Sequence, residues 1–83
     1  MSELENRVKT ILEQNGIFFY DDMEEILDLD SLTYVSILVE LENEFQIDIP
    51  EQYLTKGINT FRGFCDMINK SAQIVWKLLL LHI

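Results

Sequence analysis

Residues 31–45 constrain the fold of this chain more than any other segment, because their apolar side chains recur with the period of an α-helix. Asp30 stands immediately before them, where helices commonly have a capping residue. On a helical wheel, at about 100° per residue, the apolar side chains fall into two groups. The larger group occupies the positions expected to face a core: Tyr34, Ile37, Leu38, Leu41 and Phe45.

The smaller group consists of Leu32, Val35 and Val39, and Ser36 lies at its edge. It is centred roughly a third of a turn or more from the first group. One apolar stripe is enough to bury a helix in a small bundle, so the second stripe has two possible roles. It packs beneath the loop at residues 17–27 or beneath the C-terminal tail, or it is an exposed strip that docks a partner protein.

Helical signals also stand on both sides of this segment. Ser2-Glu3-Leu4-Glu5 has the form of a capping box and predicts a first helix over residues 3–15. Asn15-Gly16 provides the residues that commonly end a helix. Pro50 can open a short third helix, which is expected to end at Lys56-Gly57.

A fourth helix is predicted after Asn59 or Thr60, either of which can cap its first turn. Its apolar face comprises Phe61, Phe64, Cys65 and Ile68. Residues 72–83 continue as a stretch that is apolar nearly all round, and a helix of this kind has to be covered. It folds back on the domain or pairs with another chain, so a monomer and a tail-mediated dimer are both open. We therefore divide the chain into a domain at 1–70 and an apolar C-terminal extension at 71–83.

Residues 17–30 lack a regular pattern. The stretch Ile17-Phe18-Phe19-Tyr20 has strand propensity, but an isolated strand would have no pairing partner, so we expect a loop that tucks its aromatic rings under the helices. Residues 21–27 are compatible with a single helical turn. Together, the segments predict an all-α fold, a small four-helix bundle of three longer helices and a short third helix.

The net charge of −9 is concentrated in one part of the chain. No lysine or arginine stands between Lys9 and Lys56, whereas this interval contains twelve aspartate and glutamate residues. A field of one sign repels nucleic acid and anionic membrane surfaces, and it attracts basic partners. Charge of this kind also keeps domains soluble, so by itself it indicates no function.

The composition sets three further limits. Cys65 is the single cysteine, so an internal disulfide is impossible and a reducing, cytoplasmic environment is expected. With one histidine besides that cysteine, the protein has no ligand set for zinc. The longest apolar run, Leu78–Leu81, is too short to span a bilayer.

Ser31, at the start of the central helix, is the residue of greatest chemical interest. A nucleophilic serine needs a neighbouring base, but the single histidine is His82, and no Gly-x-Ser-x-Gly turn is present. Asp28-x-Asp30 begins like a calcium loop, but Thr33 replaces the glycine at the sixth position. We therefore expect neither an enzyme nor a metal site. A serine hydroxyl at a helix N-terminus can accept a phosphodiester, and the alternative is that Ser31 is only a second capping residue.

Several motifs follow one another at fixed spacing along this part of the chain. They are Asp30-Ser31-Leu32, Leu41-Glu42-x-Glu44-Phe45, Ile47-x-Ile49-Pro50 and Ile58-Asn59-Thr60-Phe61, together with Val35, Leu38 and Ile68. In this combination the chain resembles the acyl carrier protein family over residues 1 to about 70. The resemblance implies the four-helix carrier fold, with the apolar extension added after it.

The resemblance also implies roles for individual residues. Ser31 would be the position where a phosphopantetheinyl transferase attaches 4′-phosphopantetheine from coenzyme A, and Asp30 would help that transferase recognise and orient the site. The thiol of the arm would carry acyl or related groups as thioesters. Leu32, Val35, Ser36 and Val39 match the surface that family members present to acyl-loading and acyl-processing enzymes, which have basic docking patches.

The chain departs from the usual family pattern at four positions. Asp28 stands where a glycine is usual and Leu29 where a small residue is usual, and Thr33 and Ser36 replace acidic residues that are frequent in fatty-acid carriers. The face toward partners is therefore less acidic, and either fatty-acid or specialised polyketide- and peptide-type biosynthesis is compatible with the sequence. The alternative function is an unmodified acidic helical module that binds a basic partner.

Overall fold

Four α-helices follow one another along the chain, as the sequence predicts. In the computed structural model, α1 spans Glu3–Gln14, α2 Ser31–Phe45, α3 Gln52–Lys56 and α4 Phe61–Leu81. The structure describes residues 2–19 and 22–81, and after Ala72 it describes the backbone alone. Within these residues no strand is present, and the predicted all-α bundle with a short third helix is confirmed.

The ends of α1 are those that the sequence indicates. The Ser2 hydroxyl accepts a hydrogen bond from the Glu5 N–H, and the Glu5 carboxylate accepts one from the Ser2 N–H, both at 3.2 Å. This reciprocal pair is a capping box, and it satisfies two backbone donors at the start of the helix. Asn15 caps the other end, and Gly16 follows with a φ of +79°, a conformation that favours glycine.

The core forms where α1, α2 and α4 meet. It contains the predicted inner stripe of α2, of which Tyr34, Ile37, Leu38 and Leu41 are buried and Phe45 is half-buried. The other helices contribute Val8, Ile11, Leu12, Phe61, Phe64, Cys65, Met67 and Ile68. The short α3 contributes Tyr53 as its buried residue. The positions predicted to face a core on α2 and α4 are therefore confirmed.

The segment between α1 and α2 is a loop, as expected, and it is fastened to the start of α4. Phe19 is buried and stacks on Phe61, with ring centroids 4.4 Å apart. The Leu27 N–H donates a hydrogen bond to the Asn59 carbonyl at 2.7 Å, and the Arg62 N–H donates one to the Met23 carbonyl at 3.1 Å. These contacts hold the chain that leads into α2 against the chain that leads into α4.

The possible helical turn over residues 21–27 is smaller than expected. A turn at residues 23–24 is closed by the Glu25 N–H, which donates to the Asp22 carbonyl at 3.2 Å, and no α-helix forms among the described residues of this segment. The Asp22 carboxylate accepts from the Glu24 N–H at 2.9 Å, so a side chain takes the place of further helical bonds. The expected aromatic loop includes Tyr20, and the expected helical turn includes Asp21. Both residues lie outside the described part of the chain.

The last helix is longer than the domain prediction requires. Its backbone runs without interruption from Phe61 to Leu81, past the predicted boundary between residues 70 and 71, and Ser71 is buried. The C-terminal extension is thus helical as far as Leu81 and continuous with α4. The expectation that its apolar side chains are covered, by the domain or by another chain, falls on residues 73–83. The side chains of these residues lie outside the described part.

Gly63 provides a test of how tightly the start of α4 is packed. Its N–H donates to the Thr60 hydroxyl at 3.0 Å, and a Cβ on Gly63 would lie 2.7 Å from Cγ2 of Ile58 and 3.0 Å from that hydroxyl. Gly63→Ala should gain about 1 kcal/mol of helix propensity. We expect a net loss of about 1 kcal/mol in the free energy of unfolding, because the Thr60 cap and the half-buried Ile58 have to move. Urea unfolding measures the change.

The matched control is Asn69→Ala, at an exposed position of the same helix. This substitution should leave stability unchanged or raise it slightly, because alanine is the better helix former. An increase in stability for Gly63→Ala comparable to that of Asn69→Ala would show that the start of α4 has room for a side chain.

Candidate functional site

The start of α2 is fixed by Asp30. This residue has extended backbone geometry, and its carboxylate accepts a hydrogen bond from the Thr33 N–H at 2.7 Å. That backbone bond is the main cause that holds the pKa of Asp30 below its usual value, so the carboxylate is ionised at neutral pH. The predicted N-cap is confirmed, and it sets the direction in which the next residue projects.

Ser31 is the first residue of α2 and is exposed. The first N–H groups of a helix have no partners within it, and the helix dipole places partial positive charge there, so an anion attached to this hydroxyl is stabilised. No acidic residue stands inside the first turn of α2 to oppose that effect, although the Asp30 carboxylate lies next to it. The geometry suits a phosphodiester.

An open groove of about 380 Å³ lies beside Ser31. Its walls come from the loop before α2, from α2 itself, and from α3 with the linker that follows it. The lining includes Leu27, Ser31, Tyr34, Leu54, Thr55 and Asn59. The groove brings together segments that are distant in sequence, and the Leu27–Asn59 backbone bond joins two of its walls.

Tyr34 forms a hydrogen-bonded link across this region. Its hydroxyl donates to the Tyr53 carbonyl at 2.5 Å and accepts from the Ile58 N–H at 3.2 Å. The side chain is buried, and its ring is tilted against that of Phe64 with centroids 6.1 Å apart. The sequence placed Tyr34 in the core stripe but gave no sign of these bonds, because the partners come from α3 and the following linker.

The second stripe of α2 is exposed in the structure. The side chains of Leu32, Val35 and Val39 are 86%, 42% and 49% exposed. The loop before α2 leaves these three residues exposed. The interpretation in which this loop covers the second stripe is therefore excluded. We call Leu32, Val35 and Val39 the α2 strip.

Ser36, at the edge of the α2 strip, has a partner that the sequence did not indicate. Its hydroxyl donates to the side-chain oxygen of Asn15 at 3.3 Å. The Asn15 amide in turn donates to the Ile11 carbonyl at 2.8 Å and to the Glu40 carboxylate. Ser36 is exposed, but this chain of bonds ties it to the end of α1.

The carboxylates of α2 are also engaged in intramolecular contacts. Glu42 accepts from the Ile49 N–H at 3.1 Å, and Glu44 pairs with Arg7 at 2.9 Å. Together with Glu40, these groups contribute to the negative field but are oriented by neighbours in the same chain. The α2 strip is therefore an apolar surface whose nearby charges are partly committed to the fold.

Among residues 2–19 and 22–81, no group of histidine, cysteine, aspartate and glutamate side chains is arranged to hold a metal ion. None of the described helices has both the length and the apolar character needed to cross a membrane.

Comparison with known proteins agrees with the resemblance seen in the sequence. A family model described as a phosphopantetheine attachment site matches residues 2–68. The matched range contains α1, α2, α3 and the first part of α4, with Asp30 and Ser31 inside it. No solved structure matches the chain.

The two stripes of α2 can be separated by a pair of substitutions. Val35→Asp places a charge on an exposed position and should change the free energy of unfolding by less than about 1 kcal/mol. Ile37→Asp places the same charge at a position with no exposed surface and should cost several kcal/mol or prevent folding. Circular dichroism and urea unfolding of both variants provide the measurement. A comparable loss for Val35→Asp would show that the α2 strip is part of the core.

Proposed function

The chain belongs to the phosphopantetheine attachment site family, and on that premise we propose that Ser31 is the residue that receives the 4′-phosphopantetheine arm. The domain is a carrier, and members of this family hold the arm covalently on a serine. The observation that supports Ser31 is its position: an exposed hydroxyl on the first residue of a fifteen-residue helix, beside an open groove.

The residues present fit the group. The arm is joined through a phosphodiester, and the positive end of the helix dipole is suited to that anion. The groove leaves room for the part of the arm nearest the serine. When bound, the arm supplies a thiol that carries acyl groups as thioesters.

In the attachment step, the Ser31 hydroxyl oxygen forms a bond to the phosphorus on the pantetheine side of coenzyme A. The phosphoanhydride bond of coenzyme A breaks, adenosine 3′,5′-bisphosphate leaves, and the hydroxyl proton passes to a base of the transferase. The chain itself does not need a base for this chemistry, because the transferase supplies the catalysis. Asp30 is ionised at neutral pH, and its carboxylate would help to orient the transferase reaction at the magnesium ion of that enzyme.

The α2 strip and Ser36 form the docking surface in this proposal. Three apolar side chains stand exposed on the helix that begins at the arm, so an enzyme seated on them would also reach the arm. The acidic interval between Lys9 and Lys56 attracts enzymes with basic patches and increases the rate of encounter. The strip provides contact area, and the negative field provides long-range attraction.

The proposed role is to present acyl or related thioesters to enzymes of fatty-acid biosynthesis or of polyketide- and peptide-type biosynthesis. Thr33 and Ser36 give the docking helix fewer charges than an acidic residue at each position would provide. We place the domain in the cytoplasm, where its single cysteine, Cys65, would remain reduced.

Attachment at Ser31 can be tested by intact mass. The purified protein is incubated with coenzyme A, magnesium and a phosphopantetheinyl transferase of broad specificity. The wild type should gain the mass of one phosphopantetheinyl group, and Ser31→Ala should gain none. Thr10→Ala is the matched control, because it removes a hydroxyl from an exposed position of α1, outside the docking surface, and should still be modified. Failure of the wild type to gain the mass, or equal gain by Ser31→Ala, would refute the assignment.

A thiol titration gives an independent readout of the same reaction. Burial raises the pKa of the Cys65 thiol to about 12, so at pH 8 in the folded protein this group is almost entirely protonated and unreactive. The unmodified protein should therefore show no fast-reacting thiol, and the modified protein should show one, on the arm. Denaturation should expose Cys65 and so add one reactive thiol to the count of each form.

Docking through the α2 strip can be tested with the same transferase. Val35→Asp should lower kcat/KM for arm transfer by roughly tenfold or more, because a charge in an apolar contact is costly. Phe18→Asp is the control: Phe18 is 60% exposed on the loop, and the same charge there should change kcat/KM by less than about twofold. Equal effects of the two substitutions would mean that general charge, and not the strip, controls docking.

A further inference from the structure

The aromatic ring of Tyr34 occupies the space directly inward of the Ser31 groove. Tyr34 and Ser31 are three residues apart on α2, so they lie on the same side of the helix, and both line the groove. The Tyr34 side chain is only 6% exposed and packs against Phe64, which is completely buried. A chain that entered the bundle from the groove would first meet this ring.

The hydroxyl of the same residue closes the gap between α2 and α3. It joins the Tyr53 carbonyl to the Ile58 N–H, at 2.5 and 3.2 Å. The five-residue α3 has one buried side chain, that of Tyr53, so this bridge is a large part of what holds it. Separating α3 from α2 would leave buried polar groups unpaired, which is costly.

The core of the bundle consists of buried side chains. Leu38 is 2% exposed, and Phe61 has no exposed surface. Cores packed in this way have few voids larger than a water molecule. The space open to a group on the arm is therefore the groove itself, whose volume of about 380 Å³ is near the lower end of the range of about 300–1,000 Å³ for ligand pockets.

The lining of the groove is of mixed polarity. Apolar side chains such as Leu27, Leu54 and Ile58 stand beside Asp28, Asp30, Thr55 and Asn59. A long alkyl chain laid along the whole groove would also cover these polar groups, and it would displace water from them without replacing their hydrogen bonds. A short or polar group avoids this cost.

We propose that the Tyr34 ring is a plug that keeps cargo out of the bundle, held in place by the hydrogen bonds of its hydroxyl. The cargo class that fits is a short acyl group of a few carbons, carried in the open groove and not inside the domain. This inference rests on the proposed function, since it concerns the group on an arm at Ser31.

The test compares a short and a long cargo on the same protein. The transferase is supplied with acetyl-coenzyme A or octanoyl-coenzyme A, and intact mass confirms that each acyl arm is attached. Two quantities are then measured: the rate at which hydroxylamine cleaves the thioester, and the melting temperature. In the wild type, the two thioesters should be cleaved at rates within about twofold of each other, because neither is buried. The two melting temperatures should agree within about 2 °C, since burial of even a few methylene groups would shift the value further.

Two substitutions of Tyr34 assign the effect to the ring. Tyr34→Ala should open an apolar cavity, and such cavities bind apolar groups. Its octanoyl form should be cleaved roughly tenfold more slowly than its acetyl form and should melt several degrees higher. Tyr34→Phe keeps the ring and removes both hydrogen bonds of the hydroxyl, so it should lose stability but show no protection of the octanoyl thioester.

The outcomes are distinguishable from those that test attachment. If the wild type accepts no arm, or Ser31→Ala accepts one, the proposed function fails before the cargo is compared. If the wild type carries octanoyl and protects it tenfold relative to acetyl, the plug is refuted while the carrier function stands. Protection in Tyr34→Phe would refute the role of the ring. If Tyr34→Ala does not fold, the comparison of the two wild-type thioesters still decides between a filled and an accessible interior.

Discussion

The backbone hydrogen bond from the Leu27 N–H to the Asn59 carbonyl joins the loop before α2 to the linker before α4. Leu27 is buried while Asn59 is exposed, so the bond links the core to the wall of the open groove. Asp30 follows three residues after Leu27, and Thr60 follows Asn59 directly, so the bond lies close to the caps of both α2 and α4. The position of Ser31 relative to the rest of the bundle depends on this junction.

A second constraint is that α2 has to pack into the core on one side and carry an exposed apolar strip on another. Its inner stripe, with Ile37 and Leu41 completely buried, stabilises the fold, while the α2 strip stays in contact with solvent. Because the two sets of side chains point in different directions, substitutions in the strip should cost little folding stability. Tyr34 is part of the core and also lines the groove beside Ser31.

Most of the helical architecture could be predicted because it depends on local rules. The capping box at Ser2, the cap at Asp30 and the period of the apolar residues are properties of short segments, and the structure has them where they were expected. The exposure of Val35 could not be decided from its period, which gives a direction but not what covers it. The contacts of Tyr34 and Ser36 depend on partners brought together only by the fold, so the sequence contained no signal for them.

The buried thiol of Cys65 has a consequence for a protein whose function depends on a thiol. Exchange between an acyl thioester and a second sulfur requires the thiolate, and with a pKa of about 12 only on the order of one Cys65 molecule in 10⁴ to 10⁵ is ionised near neutral pH. The side chain is also only 8% exposed. Self-acylation, and a disulfide between the arm and the chain that carries it, are thus both suppressed. Burial of Cys65 thus keeps the chain's own thiol from reacting with the thioester or the free thiol of the arm.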